Sequence, residues 1–192
     1  MNSIVRLMPH APALQPDFRS AMRQLVGGVS VITVGRGDET TGMTVSSLAS
    51  LSVDPPSVIV SLNRNASSWP ILHRERVFGA NILAADQIDI AERFAGKGGL
   101  RGADRFAGGV WRRHVTGVPL LVGALATLDC EVEEIIERHS HGIVIGRVLH
   151  IEVAQQAAAL AYWHGDYVPV DRDGDLARLA VGVADPRLTP EE

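Results

Sequence analysis

Between Gly42 and Trp69 the chain reads GMTVSSLASLSVDPPSVIVSLNRNASSW, a stretch dense in hydroxyls. Thr44, Ser46, Ser47, Ser50 and Ser52 come first, Ser61, Asn63, Ser67 and Ser68 follow, and no charge interrupts Gly42 to Val53. Neutral hydroxyls and backbone amides are donors that a phosphate accepts, best beside a helix N-terminus whose dipole favours an anion. Asn63 adds a paired donor and acceptor suited to the edge of a heterocycle. Residue by residue a second reading stays open, in which Asn63-Arg64-Asn65 is a turn and Ser67 a helix cap.

Other patterns carry less chemistry. GKGGLRG at 96–102 resembles a phosphate loop only loosely, because no Gly-Lys-Ser/Thr closes it and it follows a helix pattern, so it reads as a flexible loop. GRG at 35–37 lacks the rest of a dinucleotide fingerprint and leads into a strand pattern, as a hairpin turn would. His139 and His141 alternate, yet no third metal ligand is spaced nearby, and no metal is expected. Asp129, Glu131 and Glu133 share one face of a strand and read as a solvated face rather than an acid/base cluster. Cys130, on the apolar side of that strand, reads as a small buried residue and not a nucleophile.

The elements that must position the hydroxyls follow from periodicity. Asp17 caps a short amphipathic helix with Phe18, Ala21, Met22 and Leu25 on one face, stopped by Gly27-Gly28. Strands are expected at 29–34, 41–45 and 57–62, and a helix with Trp69-Pro70 in its first turn ends near His73. A strand at 77–83 leads to a helix capped by Asp86, with Ile88, Ala91, Phe94 and Ala95 inward and Gly96 as its stop. Ala126, Leu128, Cys130 and Val132 alternate with polar residues, and Ile143, Ile145, Leu149 and Ile151 alternate across a turn at 138–142, which predicts a long antiparallel hairpin. Short strands are expected around His164-Gly165-Asp166. Many strands with few short helices argue for a barrel rather than a parallel α/β sheet.

Composition bounds the rest. At 192 residues the chain suits one domain with a substantial core, and 46% hydrophobic against 21% charged residues speaks against disorder. A net charge of −4 gives no footprint for nucleic acid or an anionic membrane. The single cysteine excludes an internal disulfide, the proline-broken N-terminus lacks an export signal, and no apolar run reaches spanning length, so a cytoplasmic protein is expected.

The segment 42–69 resembles the flavin site of the flavin reductase-like family, the small NAD(P)H:flavin oxidoreductases that serve two-component monooxygenases. FRSAMRQLVGGVSVITV before it, VFGANILAADQIDIAERFAG after it, and HSHGIVIGRVLHI and ALAYWHGDYVPV farther on extend the match over residues 17–170. This leaves 1–16 as an N-terminal extension and 171–192 as a tail. The resemblance implies a mainly β, split-barrel fold binding FMN or FAD near a homodimer interface, with NADH or NADPH as reductant and an oxygenase as recipient of reduced flavin. It implies that Thr44, Val45, Ser46 and Ser47 line the ring and ribityl chain, that Ser61, Asn63 and Ser67, with Ser50 and Ser68, complete the ribityl and phosphate contacts, and that Phe94 approaches from another side. It places His141 toward the nicotinamide, although Ser140 stands where the family's motif has aspartate, and Arg147 toward a pyridine-nucleotide phosphate. Tyr162 and Trp163 border the site or simply pack. The alternative is a split-barrel carrier that holds flavin without oxidising NAD(P)H.

Overall fold

The computed structural model describes residues 15–154 and 158–171. The expected N-terminal extension, apart from its last two residues, and all but the first residue of the expected tail lie outside these. Helix α1 (Gln15–Met22) leads into strands β1 (Gly27–Gly28), β2 (Ser30–Val34), β3 (Thr41–Val45), β4 (Ala49–Val53) and β5 (Pro56–Asn63). Helix α2 (Trp69–Glu75), β6 (Val77–Ile82), α3 (Ile88–Phe94), β7 (Trp111–Arg113) and β8 (Pro119–Leu121) follow. The long pair β9 (Ala126–Arg138) and β10 (His141–Val153) precedes β11 (Ala159–Trp163) and β12 (Asp166–Val170). Seven strands form one antiparallel sheet in the order β3-β2-β6-β9-β10-β5-β4. Its two edge strands are neighbours in sequence, and Ser47, in the short link between them, donates its hydroxyl to the Ser61 carbonyl at 2.8 Å. The expected architecture, mainly β with a few short helices and compatible with a split barrel, is the one observed.

One face of this sheet encloses a core of Ile32, Val60, Leu62, Phe78, Ala80, Cys130, Val132 and Val144, plugged by Trp69 and Leu72 of α2. The β9–β10 hairpin forms as expected, with Ile143 opposite Ile136. On β10, however, the buried positions are Gly142, Val144 and Gly146 rather than the isoleucine series. Two glycines explain the inversion: a Cβ at Gly142 would overlap the Trp69 ring and one at Gly146 the Phe78 ring. The aromatic residues of neighbouring elements supply the volume that β10 omits, so Ile143 and Ile145 are left half-buried on the opposite face. Leu149, Ile151 and Val153 are exposed on the stretch where β10 runs past its pairing with β5.

The other face of β2, β6 and β9 carries a second core, built from Val29, Val31, Leu83, Ile90, Ala91, Phe94, Leu121 and Leu160. Phe94, Phe106 and Trp111 meet there as a triangle of rings, with centroids 4.8–5.5 Å apart. Asn81, fully buried, donates to the Val31 carbonyl at 2.9 Å and accepts from Leu121 N at 2.7 Å, fixing β8 over the sheet. This layer corrects the expectation of a solvated acidic face: Asp129 is fully buried beneath the loop after β7. Its carboxylate accepts from the backbone N–H of Thr116 at 3.0 Å and from the Thr116 hydroxyl. Glu131 pairs with Arg147 and Glu133 is exposed, as a solvated face would have them.

Smaller departures have local causes. The chain after α1 runs on to form β1, so the Gly27-Gly28 pair is strand rather than helix stop, and the apolar side chains Phe18, Met22 and Leu25 of the first segment are exposed. Ser68 rather than Ser67 stands at the N-cap position of α2 and Gln87 rather than Asp86 at that of α3, and neither side chain bonds its helix; Gln87 turns its carboxamide oxygen to Ala84 N at 3.0 Å. Ala95 is exposed, since α3 ends at Phe94, while Gly96 does adopt the left-handed conformation of a stop (φ 92°). The hydroxyl-rich segment is itself a strand in part, β4, paired to β5 through a bulge near Leu51. The Asp54–Pro55 peptide that follows is cis.

Candidate flavin and nicotinamide site

Edge strand β3 organises two cavities. Thr44 and Gly42 turn toward α3, where the Thr44 hydroxyl donates to the Ala91 carbonyl at 2.6 Å and Gly42 lies under the Phe94 ring. Val45 turns the other way, onto the sheet's inner core. At this end of β3 a cavity of about 190 Å³ is lined by Val29, Thr44, Val45, Ser46, Ala95, Tyr162 and Tyr167. Its aromatic wall comes from the β11–β12 hairpin, where Tyr162 and Tyr167 are cross-strand partners in edge-to-face contact, 5.5 Å between centroids. Burial pushes the Tyr167 phenol above its ordinary value, with Tyr162 and Glu92 adding to the effect, so the hydroxyl stays protonated as a donor.

At the other end of β3, about 13 Å along the strand by its rise per residue, lies a cavity of about 370 Å³. Thr41, Ser67, Ile71, Arg101 and Arg105 line it, together with Asp38 and Glu39. Arg105 is fixed in place by donating to the carbonyls of Gly42 at 2.6 Å and Leu100 at 3.0 Å. Its guanidinium is shifted below the ordinary value, first by burial and then by the neighbouring charge of Arg101. The buried Thr41 hydroxyl has no hydrogen-bond partner among the described residues. Glu39 is drawn outward by Arg74, 2.6 Å away. The segment 96–102, expected as a flexible loop, instead contains one 3₁₀ turn and leads into a second, and the Arg105 clasp holds this stretch against β3.

The remaining candidates divide into two groups. Ser47, Ser61, Asn63 and His141 are brought together: Ser47 bonds the Ser61 carbonyl, and His141 is the cross-strand partner of Asn63. His141 is exposed at the start of β10, and the Ser140 hydroxyl lies 2.9 Å from its Nδ1, so the serine does contact the imidazole in place of the aspartate. Asn63 accepts from Asn65 N at 2.9 Å, making the turn that leads into α2 and leaves Ser67 exposed at its entry. Elsewhere, Ser68 is buried with a hydroxyl that has no partner among the described residues, and Ser50 is exposed on β4. Phe94 is buried in the ring triangle and lines neither cavity; its neighbour Ala95 does. Arg147 is ion-paired to Glu131 at 2.6 Å, about 20 Å along β10 from His141.

Residues 22–171 match the flavin reductase like domain. The chain belongs to that family. It is 35% identical over 158 residues to the FMN reductase (NADH) RutF of Cronobacter sakazakii, covering 82% of this chain and 94% of that protein. It is 32% identical over 164 residues to HsaB of Rhodococcus jostii, the reductase subunit of a flavin-dependent monooxygenase, covering 85% of this chain and 82% of that one. Among solved structures, BorF, the flavin reductase component of a bacterial two-component tryptophan halogenase, superposes with a TM-score of 0.75 at 33% identity, over 81% of this chain and 98% of that one. The expectation of an oxidoreductase acting on flavin with a reduced nicotinamide is met by this membership.

Sequence reasoning missed Val29, Ala95 and Tyr167 in the first cavity and Thr41, Arg101 and Arg105 in the second. Two arginines in a glycine-rich segment were the available signal for the second. Nothing in sequence brings Tyr167 to β3, because that contact depends on the β11–β12 hairpin.

Proposed function

We propose that the chain binds flavin along edge strand β3 and reduces it with NADH or NADPH. The observation that carries this is the pair of cavities at the two ends of that strand. One has valine, alanine and tyrosine walls with a few hydroxyls, which suits a flat ring system; the other has two arginines and three hydroxyls beside Asp38 and Glu39, the latter held by Arg74, and its donors suit a phosphate. The unpartnered Thr41 hydroxyl supports an acceptor oxygen beside it. A bound flavin would supply the redox chemistry, as acceptor of the hydride that a reduced nicotinamide carries. The residues of the chain then have positioning tasks. Val29, Val45 and Ala95 exclude water from the ring face, and Tyr162 and Tyr167 form its aromatic edge. Ser46, Ser47, Ser61 and Asn63 meet the ribityl chain, while Ser67, Arg101 and Arg105 hold the phosphate. His141, kept in orientation by Ser140, positions the nicotinamide.

A homodimer is part of this reading, because Leu149, Ile151 and Val153 leave an apolar stretch on β10 that a second copy would cover. Released reduced flavin serves a separate oxygenase, a role supported by the names of the monooxygenase and halogenase reductases to which the chain is similar. No helix among the described residues is long and apolar enough to cross a membrane, and a reductase of this kind works in the cytoplasm, where reduced nicotinamide is made.

Mixing the protein with FMN or FAD and with NADH or NADPH, and following nicotinamide absorbance, tests the reading. Oxidation with at least one pair is expected, and none with any of the four leaves a flavin carrier at most. His141→Ala should raise the KM for the nicotinamide about tenfold or lower turnover while flavin affinity stays unchanged. Unaltered kinetics remove His141 from the site.

A further inference from the structure

The outer face of the β9–β10 hairpin gathers a second set of ligand atoms, and none of them lines either cavity. His114 follows β7, and His150 and Glu152, two residues apart on β10, share a face. One donor atom from each of the three lies within 4.8 Å of the other two. Glu152 Oε1 is 3.0 Å from His114 Nε2 and 3.9 Å from His150 Nε2. The imidazoles stack at 4.2 Å between centroids, 25° from parallel. Both Nε2 atoms are buried and neither makes a hydrogen bond among the described residues, so the 3.0 Å approach is out of line for a shared proton. A simple ion pair would place that proton between the two atoms. Here two ring nitrogens and a carboxylate oxygen converge instead.

We propose that His114, His150 and Glu152 bind a divalent zinc-class cation. Metal–nitrogen and metal–oxygen bonds of about 2.0–2.2 Å put donors in a tetrahedral shell about 3.3–3.5 Å apart. The separations of 3.0 and 3.9 Å bracket that spacing. Two imidazoles and one carboxylate favour zinc, nickel or copper over calcium or magnesium, and leave a fourth position for water. The site is held ready from beneath. The buried Asp129, cross-strand partner of His150, accepts both bonds from Thr116 and so pins the loop that carries His114. The bulge near Leu149 turns His150 and Glu152 to that same face. A bound ion ties the loop between β7 and β8 to the end of β10, about 30 Å along the strand from His141.

The test uses the full, untagged chain with zinc chloride as probe, read by isothermal titration and thermal unfolding. One equivalent binding at micromolar or tighter Kd, with a raised Tm, is expected. His150→Ala and Glu152→Gln should each weaken binding at least tenfold and abolish the Tm shift, while His139→Gln should leave both intact. Equal zinc effects in wild type and His150→Ala, or only millimolar binding, overturn the proposal. Should the variants fail to fold, copper(II) added to the wild-type chain gives an electron paramagnetic resonance spectrum with coupling to two nitrogens; coupling to one or none also overturns it.

Discussion

The two faces of the β9–β10 hairpin are built by opposite means. The inner face is dry and shaped by volume: Gly142 and Gly146 are notches that the rings of Trp69 and Phe78 fill, and Cys130 and Val132 close the gap between them. The outer face is shaped by polar partners: Asp129 under the Thr116 loop, Arg147 on Glu131, and the histidine pair on Glu152. Volume is unforgiving, because a methyl group has nowhere to go in a close-packed interior. Polar partners are graded, and their worth falls from buried to exposed. One hairpin therefore contains both a position where any side chain ruins the fold and a position where a whole ion pair is dispensable.

The sharpest way to break this contrast is Gly146→Val, which drives a branched side chain into the Phe78 ring. A loss of about 3 kcal/mol or more is expected in urea denaturation, or no folded protein at all; a loss below about 1 kcal/mol would mean the inner face is loosely packed. Next comes Cys130, whose thiol is pushed up to about 12, first by burial and then by the Asp129 charge. A native value above the ordinary 9.0 stabilises the fold fully below pH about 9, and this stability is lost as pH rises from there toward about 12. Alkaline unfolding should begin in that window, and at pH 8 a thiol reagent should react on the order of a hundredfold more slowly than in denaturant. Rapid labelling of native protein would show that the inner face opens readily.

On the outer face, Asp129→Ala strips Thr116 of its acceptor and should cost about 1–3 kcal/mol by chemical denaturation. The smallest effect belongs to Arg147→Gln. The pair with Glu131 is about half exposed on both sides and raises the arginine's own proton affinity, through the hydrogen bond first and the charge second. No change in the denaturation midpoint is expected. The KM for NADPH should also hold, since the guanidinium is occupied and about 20 Å along β10 from His141; a several-fold rise for NADPH alone would return Arg147 to the nucleotide site.

The contrast also explains what the sequence disclosed. The alternation in 126–133 announced the strand and its inner residues correctly, because that pattern is local. It could not announce that the polar face of Asp129 is covered, since the cover comes from a loop more than ten residues upstream. On β10 the isoleucines advertised the wrong face, because the true core positions include glycines that carry no hydrophobic signal. The candidate site followed the same rule. The hydroxyl segment, its turn at Asn63 and the neighbour His141 were visible as spacing and resemblance, and the fold brings them together. The arginines at 101 and 105 and Tyr167 were not, since they reach β3 from a loop and from the β11–β12 hairpin.

The glycine notches have an evolutionary consequence. Gly142 and Gly146 are four residues apart with Val144 between them, so sliding β10 by one repeat of its pleat would set Val144 against the Trp69 ring. The strand thus carries its own ruler, which fixes where His141 stands relative to Asn63. Lineages that lengthen or shorten this hairpin should do so in the turn at His139-Ser140 or beyond Val148, and leave the spacing between the two glycines untouched.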